Sequence, residues 1–211
     1  FTNNQKFKAK NILDTRPLIS SFKNKPFLYQ SFLGYEIIFK RNNYLREKLY
    51  LMKDMRIKDN SLFFDYILEI NKSKILFEVT SFSKKKYSKK DLKSILEKRM
   101  KSYHFKDIKI LRKEFGVIPM GFLKKDSSSN TGNLVYAGAA SGAIRPSSGY
   151  AFLRIQKWAY KCAQSIKENG NLLSNPKERR IQFFLDYIFL YIIQNNIYHS
   201  AMIFFTFYKR V

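Results

Sequence analysis

YAGAASGAIRPSSGYAFLRIQKWA, residues 136–159, differs in charge from the rest of the chain. No lysine occurs between Lys125 and Lys157, and no acidic residue occurs between Asp126 and Glu168. Small uncharged residues ahead of a helix bring bare backbone N–H groups to one point, which favours a polar or anionic ligand group. Tight packing of a strand on a helix explains the same residues without a ligand. The spacing matches neither G-x-G-x-x-G nor a P-loop, so both interpretations stay open.

The segments around this stretch predict a mixture of strands and helices. LVYAGAA (134–140) is typical of a short buried strand, and a long helix is predicted over about 148–168, with Gly170 as its C-cap. Further strands are predicted at 26–41, 61–70, 73–83 and 107–121. Ser88 and Asp91 resemble a capping box at the start of another helix. The order of elements indicates an α/β (α+β) chain, and 211 residues suffice for one domain or two small ones.

Composition leaves several classes of partner open and excludes few. The net charge of +24 is typical of proteins that bind nucleic acid or an anionic membrane, although a lysine-rich coding bias explains it equally well. No helix-turn-helix, zinc-finger or RNP-type motif is present, so we expect no specific nucleic-acid partner. The lone Cys162 excludes an internal disulfide and suits a reducing compartment, and with His104 and His199 as the two histidines we expect no metal site.

The most apolar segment, residues 183–208, is interrupted by Asp186 and by Gln194-Asn195-Asn196. It therefore falls short of the roughly 20 apolar residues that a spanning helix needs. We expect two aromatic-rich amphipathic helices, which either pack into the core or lie against a membrane surface.

Five short motifs in order resemble the lycopene cyclase family, whose members are FAD-dependent enzymes of carotenoid biosynthesis. The main one runs through GAASGAIRPSSGYAF, and its matching residues are Gly138, Gly142, Arg145, Pro146, Ser147, Gly149 and Tyr150. LDTRP (13–17), LYQSFLGYEI (28–37), ILFEVTSFS (75–83) and EFGVIPMG (114–121) resemble the others. Glu36 and Glu114 fall within two of these motifs, where the sequence gives them no role beyond the fold.

The resemblance implies a flavoprotein fold of the aromatic-hydroxylase type. Residues 1–20 would end a segment of an FAD-binding domain, and residues 21–122 would form an inserted antiparallel substrate-binding sheet with one basic helix. Residues 123–170 would return to the FAD-binding domain, and residues 171–211 would form C-terminal amphipathic helices. Because the chain begins at Phe1 and contains no G-x-G-x-x-G, we expect it to be a fragment whose adenosine-binding part lies upstream.

The resemblance also implies the chemistry. The family closes the ends of linear lycopene into β-ionone rings with reduced FAD and no net redox change, as an isomerase of the intramolecular lyase class, with NAD(P)H as the expected reductant. Protonating an alkene requires an acid in an apolar cavity, where desolvation keeps it protonated. Glu78 matches the family's first acid, and the small-residue motif would bind the flavin. Val79 stands where the family commonly has a second acid, so the proton donor is kept and its supporting carboxylate is missing.

Alternation along the strand places Glu78 on one face with Leu76 and Thr80, but leaves open which face is buried.

Three alternatives to a lycopene cyclase remain. They are a flavin-dependent monooxygenase or reductase acting on another isoprenoid, a non-enzymatic basic module for membranes or nucleic acid, and a degenerate gene product. For the leading hypothesis we expect lycopene or a related linear carotenoid as substrate, and a cytoplasmic location with peripheral membrane attachment. The sequence indicates no oligomeric state.

Overall fold

The computed structural model of the protein describes residues 8–15, 26–39, 49–103, 105, 107–122, 133–174 and 179–208. Contacts divide the chain into two compact units. Unit 1 comprises Phe1–Pro26 and Gly121–Tyr187, and unit 2 comprises Phe27–Met120 and Ile188–Val211. Each unit therefore combines segments that are distant in sequence. The functions expected for the four sequence segments stay predictions.

Unit 2 contains an antiparallel sheet of five strands. Its strands are β2 (Leu28–Phe39), β3 (Leu49–Lys58), β4 (Ser61–Asn71), β5 (Lys74–Ser83) and β6 (Ile108–Met120). The strand order is β3-β4-β5-β2-β6, so β2 and β5 are neighbours at its centre. The sequence predicted β2, β4, β5 and β6, and all four are confirmed; β4 and β5 form an antiparallel hairpin.

One face of this sheet packs against helix α1 (Lys89–Ser102). The predicted capping box is present, since Asp91 N donates to Ser88 Oγ and Ser88 N donates to Asp91 Oδ2. The buried core between sheet and helix includes Leu33, Tyr35, Ile37, Phe63, Ile67, Ile75, Phe77, Val79, Leu92, Leu96 and Met100. Because Phe77 and Val79 point toward α1, alternation places Glu78 on the opposite face.

A buried ion-pair cluster joins α1 to the same face. The Asp65 carboxylate accepts hydrogen bonds from Arg56 Nη1 at 2.9 Å and from Arg99 Nε at 2.7 Å. Asp65 is fully buried, so these cations offset the desolvation of its charge. The cluster fixes α1 against β3 and β4 at its C-terminal end.

Strand β3 was missed by the sequence reasoning. Its register shifts twice against β4, between Tyr50 and Lys53 and again between Lys53 and Arg56. Met52 and Asp54 adopt positive φ angles in this stretch, which destroys the two-residue alternation that identifies a strand. The Asp59-Asn60 turn, with positive φ at both residues, was the available signal for a hairpin.

Unit 1 contains two short parallel strands, β1 (Ile12–Asp14) and β7 (Leu134–Tyr136), followed by α2 (Phe152–Asn169). Ala137, Trp158 and Cys162 form one buried cluster of this unit. The predicted strand over 134–140 is wrong beyond Tyr136, because a 3-10 turn occupies Gly138–Ser141 and Gly138 has a φ of 60°. The helix expected from about 148 begins at Phe152 instead, whereas the Gly170 C-cap is confirmed.

The C-terminal segment forms helices α3 (Arg180–Asn195) and α4 (Ser200–Tyr208), separated by a 3-10 turn over Ile197–His199. The predicted break at Gln194-Asn195-Asn196 is confirmed. Within the described part of the chain, no helix combines the length and apolar character needed to cross a membrane.

Candidate active site

Glu78 lies at the centre of the unit 2 sheet. It pairs directly with Tyr66 of β4 on one side and with Gly34 of β2 on the other. Thr80 Oγ1 donates a hydrogen bond of 2.6 Å to Glu78 Oε1. The fully buried Phe64 lies opposite Thr80, so this neighbourhood is largely screened from water.

The surroundings of Glu78 favour its protonated form. Burial, together with the hydrogen-bonded carboxyl group of Glu114, raises the pKa of Glu78 to about 7, and the hydrogen bond from Thr80 opposes part of that rise. A carboxyl group with a pKa near 7 keeps its proton in a large fraction of molecules at neutral pH, whereas an ordinary glutamate is almost fully ionised there.

Glu114 reaches Glu78 from a different strand. Gly34 pairs with Glu78 on β5 and with Glu114 on β6, so the three residues form one row across the sheet. A methyl group at Gly34 would stand 3.1 Å from Glu114 Cγ and 3.2 Å from Glu114 Oε1. Gly34 is therefore a position where a side chain closely approaches the backbone, and the register shift between β2 and β6 falls between Glu36 and Ile37.

Aromatic rings line the same side of the sheet. Phe64 contacts Tyr66 and Phe82 with ring centroids 5.4 and 5.1 Å apart, and Phe82 contacts Phe204 of α4 at 6.1 Å. The Phe32 ring covers Gly116, where a Cβ atom would collide with it. We call this surface the acid face, which comprises Phe32, Gly34, Phe64, Tyr66, Glu78, Thr80, Phe82, Glu114 and Gly116. Aromatic faces attract cations, so the acid face can donate a proton and stabilise a positive charge.

The second candidate region is the small-residue turn of unit 1. It follows β7, which lies parallel to β1, and Ala137 N donates to Asp14 O at 2.9 Å. Two predicted motifs far apart in sequence therefore meet at the carboxyl ends of adjacent parallel strands, where ligands commonly bind in α/β folds. Arg16 and Pro17 of the first motif lie outside the described residues.

Backbone rather than charged side chains forms much of this turn. Gly138, Gly142 and Gly149 have φ angles of 60°, 77° and 69°, a region that favours glycine. Gly149 N donates to Arg145 O, and Arg145 N donates to Tyr150 O, so the Pro146 segment is a closed turn. The N-cap residue of α2, Ala151, makes no side-chain cap. Tyr150 is half exposed beside this turn.

Two of the predicted cofactor-binding side chains are held by Asp186 of α3. Arg145 Nη2 donates to Asp186 Oδ1 at 2.9 Å, and Ser147 Oγ donates to the same oxygen. Asp186 is 6% exposed, so its charge needs these donors. Arg145 and Ser147 thus have a structural role in the turn, and cofactor contacts for the seven residues stay predictions.

Sequence reasoning missed Glu114 and Asp186 as partners in these sites. The contact between Glu78 and Glu114 requires the strand order β5-β2-β6, which no local pattern contains. Asp186 is the single acidic residue of the apolar helix α3, and a buried carboxylate requires a partner. The sequence therefore could have indicated that Asp186 pairs with a cation. No group of three or more His, Cys, Asp or Glu side chains able to hold a metal occurs among the residues that the structure describes.

The family model described as lycopene cyclase protein matches residues 1–205. The chain belongs to the lycopene cyclase family. A comparison with curated proteins found no match. Among solved structures, a geranylgeranyl bacteriochlorophyll reductase-like protein from Thermoplasma acidophilum has a similar fold, with a TM-score of 0.50 and 14% identity. The similarity covers 78% of this chain and 43% of that structure, so the chain spans less than half of its length.

These comparisons confirm the predicted family and the mixed α/β fold class. The acid motif that carried the resemblance is the one that contains Glu78, and the small-residue motif is the turn of unit 1.

Proposed function

We propose that the protein is the substrate-binding and C-terminal part of a flavin-dependent lycopene cyclase, with Glu78 as its proton donor. The observation that supports the proposal is a buried carboxyl group whose pKa is raised to about 7, on a sheet face lined by aromatic rings, in the motif that resembles the family's first acid. Alkene protonation needs an acid of this kind, because an alkene has no lone pair and water would compete for the proton.

The reaction is an isomerisation, so substrate and product have the same atomic composition. The Glu78 proton forms a C–H bond at a terminal double bond of lycopene and leaves a tertiary carbocation. A second double bond attacks that cation and closes the ring, and loss of a ring proton gives the new double bond. Tyr66, Phe64 and Phe82 lie on the same side of the sheet as Glu78, and in this proposal the aromatic rings near the bound substrate stabilise the cation.

Reduced FAD, when bound, supplies further electron density to the cation. In this proposal the backbone around Gly138, Gly142, Pro146 and Gly149 holds the ring side of the cofactor, and Tyr150 flanks it. Arg145 and Ser147 keep this turn in place through Asp186. NAD(P)H is the proposed reductant.

The test is to express the full-length protein in cells that accumulate lycopene and to analyse the carotenoids. Monocyclic or bicyclic products of unchanged mass, together with bound flavin, support the proposal. Linear lycopene in cells whose purified protein contains flavin contradicts it.

A second candidate is a flavin-dependent reductase of an isoprenoid. The fold similarity to a geranylgeranyl bacteriochlorophyll reductase-like protein supports it. Reduction adds two hydrogens per double bond and consumes NAD(P)H stoichiometrically. Product mass and NAD(P)H consumption therefore separate the two candidates.

We further propose peripheral attachment to an anionic membrane that contains the carotenoid. Helices α3 and α4 expose large apolar side chains, and the chain has a net charge of +24. Flotation with phosphatidylglycerol vesicles tests this, and we expect Phe184→Ser to weaken binding. Leu51→Ser, which alters an exposed apolar residue of β3, is the matched control. Equal flotation of both variants contradicts a role for α3.

A further inference from the structure

Two glutamates of the acid face meet across a glycine. The backbone register places Glu78 and Glu114 on opposite sides of Gly34, with their side chains on the same face of the sheet. The Glu114 side chain occupies the space above Gly34, as the distances of 3.1 and 3.2 Å to a Cβ at that position indicate. A larger residue at Gly34 would therefore push Glu114 away from Glu78.

The far side of Glu114 is paired with a cation. Arg112 Nη1 lies 2.8 Å from Glu114 Oε2, whereas Glu114 Oε1 is the oxygen nearest to Gly34. Arg112 also donates to Glu36 Oε2 at 3.1 Å, and Lys74 Nζ lies 3.0 Å from Glu36 Oε1. Glu114 thus lies between Glu78 and this partly exposed network of charged side chains.

We propose that Glu114 is the positioning residue of the proton donor: it accepts a hydrogen bond from protonated Glu78, keeps the proton on the acid face and replaces the adjacent acid that Val79 lacks. This inference rests on the proposed cyclase function of Glu78. It goes beyond that function because it assigns a role to a second residue, from a different strand.

The charge of Glu114 helps twice during the reaction. Before proton transfer, its negative charge makes ionisation of Glu78 unfavourable, since two adjacent carboxylates repel each other. After transfer, the pair carries two negative charges beside the carbocation, which stabilises that cation electrostatically. The proton lost from the ring then restores the neutral form of Glu78, and no external acid or oxidant is consumed.

The pH dependence of cyclisation follows from these charges. Among the residues that the structure describes, the titratable or charged groups on this face near Glu78 include Tyr66 of β4, Glu114 and Arg112 of β6, and the Glu36–Lys74 pair. Since protonated Glu78 is the active form, activity falls as pH rises through its pKa of about 7. Removing the negative charge of Glu114 lowers that pKa. The falling limb of the pH–activity profile, where activity declines with rising pH, therefore moves to lower pH.

The experiment compares the pH profiles of full-length wild type, Glu114→Gln and Glu114→Asp with lycopene as substrate. We expect Glu114→Gln to move the falling limb by about one pH unit toward acid. Its activity then drops about tenfold at alkaline pH and recovers at acid pH, and Glu114→Asp largely restores the profile because it keeps the charge. Glu36→Gln, which changes a carboxylate on the same Arg112 without removing Glu114, is the control whose limb stays in place.

A profile of Glu114→Gln that coincides with the wild type overturns the proposal, as does an equal loss of activity at every pH. Gly34→Ala gives a second measurement, because the added methyl displaces Glu114 and should move the limb in the same direction. An unmoved limb in Gly34→Ala contradicts the pairing.

A measurement that requires no catalytic turnover tests the Glu78–Glu114 pair independently of the proposed cyclase function. Infrared difference titration follows the protonated carboxyl band of Glu78, which is identified by its loss in Glu78→Gln. We expect that band to titrate at lower pH in Glu114→Gln than in wild type. If the wild type does not cyclise lycopene but the band shifts, the carboxyl pair is correct and the cyclase function is wrong; an unshifted band overturns the pair whatever the activity.

Discussion

Replacing Asp186 by Asn removes the charge that holds Arg145 and Ser147 in the turn of unit 1. Asp186 Oδ1 accepts hydrogen bonds from both side chains, and Asp186 is 6% exposed. Breaking a fully buried ion pair costs about 3–5 kcal/mol. The Arg145 side chain is 32% exposed and so stays partly hydrated after the change. We therefore expect a smaller loss of about 2–3 kcal/mol in the free energy of unfolding of unit 1.

The single tryptophan makes this loss measurable. Trp158 lies in the core of unit 1, and its Nε1 donates to Leu173 O at 2.6 Å. Urea unfolding followed by Trp158 fluorescence should show a lower midpoint for Asp186→Asn. Glu168→Gln, which alters an exposed carboxylate of α2, is the matched control and should leave the midpoint unchanged.

A double-mutant cycle with Arg145→Met completes the test. If Arg145 acts mainly on Asp186, the double variant is about as stable as the less stable single variant, because one interaction is removed only once. A midpoint of Asp186→Asn equal to the wild type refutes the structural role of Arg145. Strictly additive losses refute the direct pairing.

Three further predictions concern unit 2. Thr80→Val removes the hydrogen bond that lowers the pKa of Glu78, so the falling limb of the cyclisation profile should move toward alkaline pH; a shift toward acid contradicts the role of Thr80. Because burial raises the pKa of Glu78 from 4.5 to about 7, its stabilising contribution is complete below the lower value and lost as pH rises through the higher one. Wild type should therefore lose about 3 kcal/mol relative to Glu78→Gln between pH 4 and 8, as measured by urea unfolding, and parallel curves contradict the shift. Asp65→Asn should destabilise unit 2 by about 2–4 kcal/mol, since Arg56 and Arg99 lose their buried partner; an unchanged urea midpoint by circular dichroism contradicts this.

Local patterns predicted much of the fold. Strands β2, β4 and β5, the Ser88–Asp91 capping box and the Gly170 C-cap depend mainly on neighbouring residues, and each is confirmed. Strand β3 was missed because its bulges interrupt the alternation on which the prediction depends. The start of α2 was misplaced because the 145–150 turn closes through its own backbone hydrogen bonds.

The candidate site was predictable only in part. The ILFEVTSFS motif placed Glu78 in a strand, but the face it occupies depends on α1, which packs on Phe77 and Val79. Its neighbour Glu114 comes from a strand thirty or more positions along the chain, and the pairing follows from the position of β2 between β5 and β6. Similarly, the structural role of Arg145 depends on Asp186, which lies 41 positions further along the chain in α3.

The acid role of Glu78 is tested most directly by comparing Glu78→Gln with wild type in the full-length protein, with lycopene conversion and flavin absorbance measured on the same samples. Gln keeps the shape of the side chain and the hydrogen bond from Thr80 but has no proton to donate. We predict that cyclisation is abolished while bound flavin persists at the wild-type level. Undiminished formation of cyclic carotenoids by Glu78→Gln would contradict the assignment of Glu78 as the proton donor.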